Sequence, residues 1–252
     1  MTNMQSWDGA RATKKELRKD TFEGYVTDFI ATHEARQAGA QVFLVEQDPN
    51  WVTPPHFHLE HQFQIITAGD GAIGRRAVAP LTVHYAAPQT GYGPITAGPK
   101  GVSYLTLRVS GDTGAWYLHK PGSRERLEAG RKREQQHGAP AGAIDADVLA
   151  RLVATTVTTL ITPREDGLAA HLVRMGPRAE LVLPAEYAHG GRYYVVTQGA
   201  IDAGGADSQG LFVLHASADE LPAIRSGAAG AELLVLQFPK DAATQADGAP
   251  TS

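Results

Sequence analysis

Cysteine is absent from the 252 residues. That excludes disulfides, thiolate zinc sites and cysteine nucleophiles, and it fits a reducing cytoplasm, where the protein is expected. Long apolar runs are missing too: no stretch approaches the ~18 residues of a membrane span, so no membrane association is expected. The opening MTNMQSWDGARATKKELRKD holds no apolar core of signal-peptide length. There is no basic excess, the formal net charge being −4, and a nucleic-acid partner is not expected. With 42% hydrophobic and only 20% charged residues, the chain has too much apolar surface and too little charge to stay disordered.

What the chain has in quantity is punctuation. Its 27 glycines and 15 prolines suit many short strands joined by turns. Residues 1–20 read as a polar arm. Strand patterns follow at Gln41 to Glu46, at QFQIIT (Gln62 to Thr67, closed by the turn Gly69 to Gly71), at LTVHYAA (Leu81 to Ala87) and at SYLTLRVS (Ser103 to Ser110). The last alternates apolar and polar residues at period two. Residues 118–147 are polar and charged and read as a linker. Its RERLEAGRKRE run is a solvated surface segment, and DADVLARLV adds a short helix capped by Asp145 or Asp147. Strand patterns return from Val157 to Phe238 in six segments, and residues 240–252 form a small, polar tail.

The halves repeat. QFQIITAG matches RYYVVTQG, pairing Gln62 with Arg192 and Gly69 with Gly199. LTVHYAA matches FVLHASA, pairing His84 with His215, and GVSYLTLR matches GAELLVLQ. A constant strand order at a fixed offset argues for two duplicated domains, 21–117 and 148–239. Short, evenly spaced strands without long helices make each an all-β barrel or sandwich.

The informative stretch is PPHFHLEHQFQIITAGDG, Pro54 to Gly71. In an extended segment His56 and His58 point to one face, where two imidazoles can share a metal ion. Gln64 shares the inward face of Gln62, because residues two apart in a strand do. His61, one residue from Gln62, points outward or toward the rim. For Trp51, Tyr85 and Phe63 the plain reading is core packing or pocket wall.

These residues resemble the cupin superfamily, whose first motif runs G-x5-H-x-H-x3-4-E-x6-G. His56 and His58 match its histidines and Gly69 its closing glycine, while Gln62 stands in place of the glutamate. In the second motif Pro88 matches, Thr90 replaces a glycine, and Tyr92 stands where the third histidine would be. The resemblance implies an all-β fold of two jelly-roll barrels in tandem, with little helix. It implies a divalent metal (Fe, Mn, Ni, Cu or Zn) on His56, His58 and Gln62, with Gln64 and Tyr92 lining a substrate pocket. Gln62 offers a carbonyl but no charge, so proton transfer falls to Tyr92, His84 or His61. The recurrence of His84 as His215 favours a structural role for it. In the second half Glu186, Ala188 and Arg192 replace the metal set, which implies a degenerate barrel, with Arg192 paired internally to Glu186.

Two functions are compatible with this pattern. One is a metal-dependent enzyme, dioxygenase-like, acting on a small oxygenated substrate. The other is a binding or sensing bicupin that holds a small molecule without a tightly held metal. A homodimer is expected by resemblance.

Overall fold

The computed structural model describes residues 3–34, 38–112, 114–129, 131–140, 142–183, 189–203 and 210–242. Glu186 and Ala188 lie outside the described residues. The chain forms two compact units. One is built on Arg11–His137, and the other joins Met1–Ala10 to Gly138–Thr244.

In the first unit one antiparallel sheet carries the strands in the order Gln135–Gly138, Val83–Ala86, Gln62–Ile73, Ile95–Ser110, Ala38–Gln47, Phe22–Ile30 and Lys15–Lys19. A separate pair, His56–Phe57 with Trp116–Tyr117, completes the barrel end. Alternation explains the interior. Phe22, Val26, Val45, Ile66, Ala86, Tyr92 and Tyr104 form one buried cluster. Gln62 and Gln64 share the face of Ile66, and Thr106 and Arg108 that of Tyr104, by the two-residue period of a strand. The apolar partners between them, Phe63, Ile65, Leu105 and Leu107, are fully buried on the opposite face.

The second unit orders its strands Asn3–Ser6, Phe212–Ala216, Arg192–Asp202, Arg225–Gln237, Ala169–Met175 and Thr156–Ile161. Its interior is apolar: Val173, Tyr194, Val196, Phe212, Leu214, Leu233 and Val235 pack into one cluster. Where the first barrel has Gln64 and Thr106, this one has Tyr194 and Val235. Among the described residues, these inward positions carry mostly apolar side chains.

The structure differs from the sequence reading at both ends of the first half. Residues 1–20 are not simply an arm, since Asn3–Ser6 pairs with Phe212–Ala216 and Lys15–Lys19 pairs with Phe22–Ile30. Asn3 sits opposite His215, a pairing too distant in sequence to read from local pattern. Within 118–147, Gln135–Gly138 is an edge strand and Ala146–Leu149 a single helical turn. Asp145 occupies the cap position without a side-chain cap bond.

The register also corrects one equivalence. Gln62 pairs with Ala86 and Gln64 with His84, whereas Arg192 pairs with Ala216 and Tyr193 with His215. His84 therefore corresponds to Leu214, and His215 to Tyr85. A one-residue slip reverses the face of a strand residue, so His84 and His215 have no shared role.

The duplicated glycines have a clear cause. Gly69 and Gly199 hold φ of 70° and 77°. A Cβ on either would lie 2.2 Å from a carbonyl oxygen, of Gly101 and of Gly230 respectively. Gly122 has φ of 80° with open space around it. Replacing Gly69 or Gly199 with Ala should therefore lower unfolding free energy by about 2–4 kcal/mol, and Gly122→Ala by about 1 kcal/mol. Urea denaturation of the three variants checks this; equal losses would remove the clash as the cause.

Candidate functional site

His56 is held by its backbone before its side chain is considered. Its N–H donates to the Tyr92 carbonyl at 3.1 Å, and Tyr92 N–H returns the bond at 2.9 Å. On the other side His56 pairs with Tyr117, and Phe57 with Trp116. Alternation then buries Phe57 completely and turns His56 and His58 to the same cavity.

That cavity measures about 500 Å³. Leu17, Phe22, Val26, Phe43 and Val45 form an apolar wall, with Lys19, His33 and Glu34 also at the lining, and His56, His58, Gln62, Gln64, Tyr92, Thr106, Arg108 and Asp112 form a polar floor. Of the residues expected at the site, Tyr92, His56, His58, Gln62 and Gln64 come together here. His61 and His84 are not among its lining residues. His61 is buried on the other face, its Nδ1 2.6 Å from Tyr85 Oη. His84 sits behind Tyr92, ring centroids 4.8 Å apart, with Nδ1 2.8 Å from Gln64 Oε1 and its ring stacked on His137 at 4.5 Å.

The floor is a directional hydrogen-bond chain. Arg108 donates to Gln62 Oε1 from Nη2 at 2.9 Å and from Nε at 3.3 Å. This fixes the amide so that Gln62 Nε2 donates to Tyr92 Oη. Tyr92 Oη donates to His56 Nε2 at 3.0 Å, and His56 Nδ1 donates to the Pro54 carbonyl at 2.8 Å. A carbonyl can only accept, so Nδ1 carries the proton and Nε2 the lone pair. His58 Nδ1 likewise donates to the Asp112 carboxylate, which leaves its Nε2 as an acceptor.

Arg108, Gln41 and Asp112 are the residues that sequence reasoning missed. Arg108 donates from Nη1 to Gln41 Oε1 at 2.7 Å and lies 3.4 Å from Asp112 Oδ2. The arginine and aspartate side chains are 3% and 0% exposed. A signal for Arg108 was available: in SYLTLRVS it falls at the inward parity of a strand. Asp112, just past that strand, carried none.

Electrostatics follow from burial. Burial, reinforced by His58, pulls His56 down to about 3, and burial with the adjacent His137 pulls His84 down to about 3. Burial also lowers His58, against the pull of Asp112. It pushes the Tyr92 phenol well above its ordinary value despite Arg108. Burial alone would raise the Asp112 carboxyl, but His58 and Arg108 override it and hold it below the carboxylate range. At neutral pH the floor therefore holds neutral imidazoles, a protonated phenol and one Arg–Asp ion pair.

A divalent metal fits this floor poorly. Gln62 turns its N–H₂ inward and its carbonyl to Arg108, and an N–H₂ cannot ligate a cation. Tyr92 O–H occupies the His56 lone pair. Among the described residues no group of three His, Asp or Glu side chains converges to hold an ion.

The imidazoles make stability pH-dependent. Unfolded, His56 and His84 titrate near 6.5; folded, near 3. Between those values the unfolded chain binds protons that the folded chain does not. Stability is then fully present above about 6.5 and is lost as pH falls toward about 3. Tm should be lower at pH 4.5 than at pH 7, and His84→Gln should shrink the drop. Thermal unfolding monitored by circular dichroism at both pH values checks this; an unchanged Tm contradicts it.

No family model matches the sequence, and neither does any curated protein. Solved structures do match its fold. A protein proposed to be a dioxygenase from Nostoc punctiforme aligns with a TM-score of 0.62 and 11% identity, over 96% of this chain and 84% of its own. A bacterial pirin from Escherichia coli in complex with nickel(II) aligns at 0.54 and 10%, over 95% and 99%. An oxalate decarboxylase from Lactobacillus farciminis, in a formate complex, aligns at 0.56 and 13%, over 94% and 86%. At such identities the likeness speaks for architecture. The fold is that of two cupin-type jelly-roll β-barrels in tandem.

Proposed function

We propose that the protein is a small-molecule-binding cupin whose first barrel takes an organic ligand with an apolar body and an oxygenated head. The observation that carries this reading is the division of the cavity. Leu17, Phe22, Val26, Phe43 and Val45 offer apolar contact on one side, with Lys19, His33 and Glu34 also at the lining, and the floor offers fixed hydrogen-bonding groups. His58 Nε2 is held as an acceptor by the Asp112 bond on the other ring nitrogen, so it suits a ligand hydroxyl. Thr106 supplies a second hydroxyl contact. The apolar cluster inside the second barrel gives it a structural part in this reading.

The metal-dependent, dioxygenase-like enzyme is the second reading. One observation favours it: both His56 and His58 have Nδ1 pinned by an acceptor, the outer-shell arrangement that orients metal-ligating histidines. The nickel-bound pirin and the oxalate decarboxylase add likeness of fold. The orientation of Gln62 and the Tyr92–His56 bond weigh against it.

A library of small hydroxylated and carboxylated aromatic and aliphatic compounds, screened on EDTA-treated protein by thermal shift and ligand-observed NMR, tests the binding reading. Binders should raise Tm by about 2 °C or more at saturating concentration. His58→Ala should weaken them about tenfold, as the loss of one hydrogen bond does. Ala115→Trp, which adds bulk to the cavity lining, should abolish binding without unfolding the protein. Binders unaffected by both substitutions, or none at all across the library, would refute the reading.

A further inference from the structure

Each barrel carries a buried guanidinium bonded to an amide across the same two strands. In the first, Arg108 of Ile95–Ser110 donates to Gln62 of the neighbouring Gln62–Ile73. In the second, Arg192 of Arg192–Asp202 donates from Nη2 to Gln237 Oε1 at 2.6 Å, directly opposite on Arg225–Gln237. Arg192 also donates from Nη1 to Tyr194 Oη at 3.1 Å. The strands correspond between the halves, so the two side chains have exchanged places. Gln62 stands where Arg192 stands, and Arg108 where Gln237 stands. All four are buried, between 1% and 4% exposed.

Neither pair is placed at random. Gln62 and Arg192 occupy the position at which the cupin pattern has an anionic ligand, next to the metal. In the first barrel the guanidinium does there what a bound cation would do. It collects the Gln62 and Gln41 oxygens and the Asp112 carboxylate. A dication brought among His56, His58 and Gln62 would face this fixed positive charge in a low-dielectric interior, with the carbonyl and carboxylate already taken. In the second barrel the same pair persists although the sequence there lacks both histidines.

We infer that a buried arginine is the resident cation of each barrel, and that Arg108 closes the first barrel to divalent metals that its histidine pair would otherwise admit. The inference rests on the geometry of the floor, not on what the cavity binds, so it and the binding reading fail separately.

The test compares three untagged, EDTA-treated full-length proteins: wild type, Arg108→Gln, and the exchange variant Gln62→Arg with Arg108→Gln, which copies the second barrel. Each is titrated with Ni(II), Mn(II) and Zn(II) by calorimetry and assayed for metal after dialysis. Wild type and the exchange variant should retain less than about 0.1 equivalent. Arg108→Gln should gain one equivalent and bind at least about tenfold more tightly than wild type, with a matching rise in Tm. Adding His56→Ala and His58→Ala to it should erase the gain. One tightly held equivalent in wild type, lost on His56→Ala with His58→Ala, would overturn the inference. So would a folded Arg108→Gln that gains no metal. Should Arg108→Gln fail to fold, the wild-type and exchange-variant stoichiometries decide alone.

Discussion

The arrangement of the first barrel hangs on one buried contact, the guanidinium of Arg108 against the amide oxygen of Gln62. That contact decides which end of the amide faces the cavity. The amide nitrogen then fixes Tyr92 as a donor to His56, and His56 donates its one ring N–H, on Nδ1, to the Pro54 carbonyl. The charge is balanced by Asp112, which in turn sets the tautomer of His58. A reversal of Gln62 would set its N–H₂ against the Arg108 donors and turn the Tyr92 hydroxyl toward the amide oxygen, leaving the His56 Nε2 lone pair facing the Tyr92 oxygen. Buried polar networks are favourable only when every member is satisfied, so the chain holds as a unit.

The same contact recurs although one sequence pattern supports two very different interiors. Both barrels are built on the same strand order, and both use a glycine at positive φ pressed against a facing glycine carbonyl. In the second, Tyr194, Leu233 and Val235 fill the interior. In the first, Gln64, Tyr104 and Thr106 take those places and an open cavity remains. The Arg–Gln pair survives in both, with its members interchanged between strands.

Much of the architecture was legible in the sequence because it depends on local period and on repetition. QFQIITAG and RYYVVTQG announce equivalent strands, and the alternation of His56, Phe57 and His58 gives the facing of the histidines. The slip between His84 and His215 shows the limit of such matching: aligned letters carry no register, and register is set by backbone pairing. The pairing of Asn3–Ser6 with Phe212–Ala216 was likewise beyond any local signal. At the site, residue types could be read but orientations could not. The motif spacing makes Gln62 a carbonyl ligand to a metal, whereas the partner that turns it lies 46 residues away on another strand. Asp112 reaches His58 across 54 residues, from a loop with no distinguishing pattern.

The most direct test of the account is NMR of protein with ¹³C-labelled histidine rings, to which Mn(II) is added in stoichiometric steps. If Arg108 occupies the cation's role, the His56 and His58 ring signals stay sharp while surface histidines broaden first and weakly. Selective early broadening of the His56 and His58 signals together would place an ion between them and contradict the account.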